Sequence, residues 1–79
     1  MAFSENAKII LKHLQENNGK YETALMIAEK TGLAPKTVNG VVTSALQRQG
    51  LAQRLACDGF DKKVIRLTKA GMEANPDEE

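Results

Sequence analysis

Between Thr31 and Gly50 the chain, TGLAPKTVNGVVTSALQRQG, turns, runs as one two-sided helix and then changes period, and few architectures accept that succession. Gly32 can adopt the left-handed conformation that ends a preceding helix. Pro35, with φ preset and its missing N–H harmless at a first helical position, can start the next. From there Val38, Val41, Val42, Ala45 and Leu46 recur at the spacing of one face of a 3.6-residue helix, while Lys36, Gly40, Thr43 and Gln47 fall roughly opposite. Gly50 stops that helix, and from Leu51 the pattern alternates every second residue, so the helix is delivered straight into a strand. The spacing predicts a helix over 35–49, held by its back and free at its front.

Upstream, Ser4 is a good N-cap and Glu5 suits the first turn of a helix whose buried stripe is Ala7, Ile10, Leu11 and Leu14, with Ile9 at its margin. Asn17, Asn18 and Gly19 reverse the chain, and Tyr21 and Glu22 form a very short extended segment. Thr23 then caps a second helix over 24–30 that turns Ile27 and Ala28 inward, with Leu33 plugging the turn between the second and third helices. Downstream, Leu51, Gln53 and Leu55 alternate against Ala52, Arg54 and Ala56 in a strand with two unlike faces. The return strand, 64–68, puts Ile65 and Leu67 on the apolar side and Arg66 on the wet side, and Asp58-Gly59 marks the reversal between the two. Thr68 caps a last short helix over 69–74, which Asn75 and Pro76 stop. The fold class expected is therefore α+β, mainly α: three helices, a C-terminal β-hairpin and a short last helix, in a single domain over 1–76 with a disordered acidic tail at 77–79.

A chain of 79 residues buries only about 60% of its unfolded surface and is modestly stable alone. With 42% hydrophobic and 27% charged residues it is expected to fold rather than stay disordered. Nothing approaches the run of about 18 apolar residues that a membrane span needs, and no basic, then apolar leader opens the chain, so the expected location is the cytoplasm, with no membrane partner. One cysteine and one histidine, Cys57 and His13, supply neither an internal disulfide nor a zinc ligand set, and no metal or other cofactor is expected. No Ser/His/Asp or Cys/His arrangement, phosphate-cradling glycine loop or paired carboxylates mark a catalytic site, so an enzyme is not expected. Cys57 reads as a small residue at a strand end, not a redox sensor, and His13 as an exposed surface histidine. Phe60 either touches a sugar or base or folds back over the hairpin.

Charge is distributed more tellingly than its total of +1. Residues 1–33 balance four lysines against four glutamates, residues 34–69 carry seven bases against Asp58 and Asp61 for +5, and residues 70–79 carry −4. The positive charge coincides with the two-sided helix and the hairpin, the segment that would face a polyanion.

The run IAEKTGLAPKTVNGVVTSALQRQGLAQR, followed by KKVIRLTKAG, resembles winged helix-turn-helix regulators, most nearly the DNA-binding core of the multiple-antibiotic-resistance regulator (MarR) family. Those proteins likewise pair a helix ending in Gly-Leu with a hairpin closing in Arg-Leu-Thr and a following Gly, and the resemblance covers about residues 5–74. It implies a transcription regulator of double-stranded DNA whose helix 35–49 enters the major groove, with Lys36, Thr37, Asn39, Thr43, Ser44 and Gln47 facing bases. Asn and Gln there could pair with adenine edges. Arg54, Lys62, Lys63 and Arg66 would contact phosphates, adding affinity without sequence preference. The chain departs from the family at Gly40, where related regulators often carry a long polar or basic residue. Either backbone comes very close to something at Gly40 or the position is unused. It departs again in having almost nothing outside the winged core, where MarR proteins dimerise, so a homodimer would use the first helix, the hairpin or the last helix. A winged helix that binds protein and has lost DNA recognition is the alternative, and Gly40→Arg separates the two: added bulk damages a docking helix but not a DNA reader.

Overall fold

Three of the helices begin on a hydroxyl, in the computed structural model that describes residues 4–17 and 21–76. Ser4 Oγ accepts from the Ala7 amide at 3.2 Å and opens α1, Glu5–Glu16. Thr23 Oγ1 accepts from Met26 N and opens α2, Ala24–Thr31, and Thr68 Oγ1 accepts from Gly71 N and opens α4, Lys69–Glu73. Each satisfies an amide that the first helical turn leaves without a partner. The remaining helix, α3 over Pro35–Val41, has no side-chain cap and starts on proline, which has no amide to satisfy. Gly32, at φ +79°, closes α2 by donating to Ala28 O at 2.9 Å. The expected reversal at Asn18-Gly19 and the acidic tail at 77–79 lie outside the described residues.

The expected continuous α-helix over 35–49 needs correction. The α-helical spacing ends at Val41, and Val42–Gln47 forms a π-helical segment with wider turns. The β-branched run Val41-Val42-Thr43 is stiff and crowds an ideal α-turn. At the junction two carbonyls receive side-chain donors: Ser44 Oγ donates to Gly40 O at 2.7 Å and Arg54 Nη2 to Asn39 O at 3.2 Å. The buried stripe survives the change of pitch. Val38, Val42 and Leu46 are fully buried, and Val41 packs partly buried beside them.

The hairpin is present as β2, Ala52–Leu55, and β3, Val64–Leu67, and the short segment before α2 pairs with it as β1, Glu22–Thr23. The sheet is antiparallel with order β1-β3-β2, in register Glu22 to Ile65 and Arg54 to Ile65. Ala52 and Ile65 join Ile10, Leu11, Leu14, Ile27, Val38 and Leu46 in one core, and Leu33 packs against it as expected for the plug of the turn.

Two long-range ties fasten α4. Gln15 Nε2 donates to Gly71 O at 2.9 Å and Ala74 O at 2.7 Å, satisfying carbonyls at the end of a helix too short to satisfy them itself. Thr68 donates its amide to Leu51 O and its hydroxyl to Gly50 O, at 2.9 and 2.6 Å, so the start of α4 is fixed to the turn that ends the π-helical segment.

His13 is not the exposed histidine expected from its polar surroundings on α1. Its side chain is 13% exposed, and Nε2 lies 3.1 Å from Oε1 of Glu22, the one fully buried charged residue among those described. The other carboxylate oxygen takes Lys30 Nζ at 2.9 Å. Burial alone would push the Glu22 carboxyl up, but the hydrogen bonds and charges of Lys30 and His13 outweigh it and hold the group below the usual glutamate value. A carboxyl whose folded value is depressed adds stability above its unfolded value and loses it as pH falls through the folded one. Glu22→Gln is therefore expected to cost about 1–3 kcal/mol near neutral pH, in denaturant melts, by leaving a buried polar network mismatched. The difference from wild type should shrink as the melts are repeated toward about pH 3; a gap that stays constant would show that charge at Glu22 is irrelevant.

Candidate nucleic-acid interface

The helix that presents its front is held from behind by Val38, Val42 and Leu46, whose burial against α1, α2 and the sheet leaves the opposite side outward. On that side Lys36, Asn39, Gly40, Thr43 and Ser44 are exposed, and Thr37 and Gln47 are half-buried at its edges. Nothing else in the described chain comes within 4 Å of where a Gly40 Cβ would stand, so no packing partner inside the molecule requires glycine there.

Arg54 is where the structure departs most from the expected division between a reading helix and a phosphate-holding wing. It shares the inner face of β2 with Ala52, opposite Ile65, and reaches across to the helix. Nε donates to Gln47 Oε1 at 3.0 Å, Nη1 to Asn39 Oδ1 at 3.1 Å, and Nη2 to Thr43 Oγ1 at 3.1 Å as well as to the Asn39 carbonyl. One guanidinium thus engages three of the expected base-facing side chains. Arg66 projects the other way. Opposite Gln53, on the outer face of the sheet, it lies over the Tyr21 ring with 4.6 Å from the guanidinium carbon to the ring centroid, a cation–π pair that separates it from the helix front.

Lys62 and Lys63 are exposed on the wing and line a cleft with Pro35, Asn39 and Arg54. The wing's two lysines and the beginning of the helix therefore border one surface. Phe60 is half-buried at the wing tip and, with Leu25 and Met26, lines a shallow cleft where the tip meets the start of α2, which favours folding back over direct exposure. Cys57 is a half-buried free thiol at the end of β2. Among the described residues no group of three or more His, Cys, Asp or Glu is arranged to hold a metal ion, and no helix is long and apolar enough to cross a membrane.

No family model and no curated protein sequence matches the chain. Solved structures do. The Staphylococcus aureus MepR–DNA complex superposes with a TM-score of 0.80 at 22% identity over 90% of this chain. A MarR family protein from Bacillus stearothermophilus gives 0.73 at 24% identity over 90% of the chain. The chain folds as a MarR-like winged helix. The PcaV transcriptional regulator of Streptomyces coelicolor, solved with its natural ligand, gives 0.75 at 24% identity over 89% of the chain. The winged helix spans about half the length of these proteins, covering 57%, 47% and 48% of them respectively.

Sequence patterning located the helix front and the wing lysines of this winged helix. It missed the Arg54 cluster. The signal for it was the strand alternation, which put Arg54 on the same face as Ala52 and hence, once Ala52 is buried, on the face turned toward the helices.

Proposed function

We propose that the winged helix is the duplex-reading part of a transcription regulator, with residues 35–47 entering the major groove and the wing lysines meeting phosphates. The observation that carries this reading is the shared border: Lys36, Asn39 and Thr43 stand exposed on a helix backed by core, and Lys62 and Lys63 line the cleft that its start helps to form. The excess of five positive charges over residues 34–69 supports it, as does the likeness in fold to a MepR solved in complex with DNA. With one basic residue in the first half of the reading helix, affinity per copy is low. The protein is proposed to act with a partner, a second copy of the same chain or another protein, that doubles the contacts.

Residue-resolved chemical shift mapping against a mixed-sequence duplex, at low and then moderate salt, tests the proposal. Shifts are expected at Lys36 through Gln47 and at Lys62 and Lys63. Replacing both wing lysines by alanine should reduce the slope of log affinity against log salt by about 2, at close to one counterion per phosphate lost. A duplex that shifts neither the helix front nor the wing would rule out a DNA reader. Shifts confined to the sheet's outer face, around Tyr21 and Arg66, would do the same.

A further inference from the structure

Arg54 has donors only, so whatever atom faces it must accept. That fixes more than its own position. The Asn39 and Gln47 amides are held with their oxygens on the guanidinium and their NH2 groups turned away from it, and the Thr43 oxygen is occupied as an acceptor, which leaves its hydrogen free to donate elsewhere. Lys36, one turn earlier and exposed, is also a donor. Taken one at a time, Asn39 and Gln47 are ambivalent side chains that can offer an acceptor and a donor together, the combination that pairs with adenine. Taken with Arg54, each oxygen has one lone pair committed to the guanidinium, and the groups turned away from it are donors.

The geometry points to Arg54 as a positioning residue for base selectivity: it orients Asn39, Thr43 and Gln47 so that the helix meets DNA as a donor face, suited to the two adjacent major-groove acceptors of guanine in a G·C pair, and ill suited to the paired donor and acceptor of adenine in an A·T pair. This rests on the proposed reading of duplex DNA by residues 35–47, and it reverses the preference that Asn39 and Gln47 suggest in isolation.

The test is selection of binding sites from a randomised duplex pool by the full chain, in wild type, Arg54→Lys and Arg54→Met, with binding of each to one fixed duplex measured across a salt series. Wild type is expected to enrich G·C over A·T base pairs at the positions facing residues 39–47, by about tenfold at the best position. Arg54→Lys keeps the charge but cannot engage three side chains at once in a planar fork. It should lose that preference, admit A·T pairs, and leave the salt slope unchanged. Arg54→Met should show the same relaxed preference.

An unchanged base-pair preference in Arg54→Lys, or a preference for A·T over G·C pairs in wild type, would overturn the assignment. If Arg54→Met keeps the wild-type preference and only flattens the salt slope by about 1, Arg54 is a phosphate contact and the assignment is wrong. Absence of any selection or binding by wild type would instead refute the DNA-reading proposal, and the inference with it. If Arg54→Met does not fold, the charge-preserving lysine variant still decides the matter.

Discussion

A Gly71→Ala chain should be less stable than wild type by about 3 kcal/mol, the upper end of what overpacking costs, although it adds one methyl group and removes nothing. A Cβ at Gly71 would overlap the carbonyl oxygen of Leu51 and crowd both the Leu51 carbonyl carbon and Leu67 Cδ2. The obstacle is backbone, and that backbone is already committed: Leu51 O accepts from Thr68 N, and Leu51 N donates to Leu46 O at 2.8 Å. Neither side can yield without losing a hydrogen bond. Gly40→Ala is the matched control, since its added methyl meets open space in a helix. It should stabilise the chain by about 0.5–1 kcal/mol through helix propensity. Denaturant unfolding of the two variants beside wild type measures both effects. Equal stability of Gly71→Ala and wild type would mean that α4 does not close on Leu51 in solution.

Leu46→Ala should cost about 2–5 kcal/mol, in the range for emptying a fully buried leucine site. For a chain this short each kilocalorie lowers the melting temperature by about 4–8 °C, so the variant should melt far below wild type or be partly unfolded at room temperature. The location of the loss matters as much as its size. Leu46 anchors the π-helical segment to the core and accepts the hydrogen bond that turns the chain into β2, so hydrogen exchange should accelerate most over residues 42–52. Uniform acceleration across α1 and α2 as well would show instead that the segment has no stability of its own to lose.

What could be read from the chain in advance was local. Ser4, Thr23, Pro35 and Thr68 announce helix starts because a cap acts within three residues of itself, and Gly32 announces an end for the same reason. The stripe of Val38, Val42 and Leu46 was legible because i, i+4 periodicity needs no knowledge of the partner helix. The polar ties were not legible. His13 meets Glu22, Gln15 meets the end of α4, and Arg54 meets Asn39, Thr43 and Gln47 only after the topology has brought separate elements together. In β1 two residues are too few for alternation to reveal a face, so nothing in the segment announced that Glu22 points inward. The candidate site divided along the same line: Lys36, Lys62 and Lys63 were named from charge and spacing and are exposed, whereas the separation of Arg54 from Arg66 onto opposite sides of the sheet depends on which face of β2 packs against helices.

The π-helical segment bears on comparison with relatives. A π-bulge arises when an extra residue is accommodated inside an α-helix. Wherever a homologous protein keeps plain α-geometry through the corresponding stretch, an ungapped alignment drawn from Pro35 slips out of spatial correspondence somewhere between Val42 and Gln47. Lys36 and Asn39 precede the change of pitch, whereas Thr43, Ser44 and Gln47 lie within it.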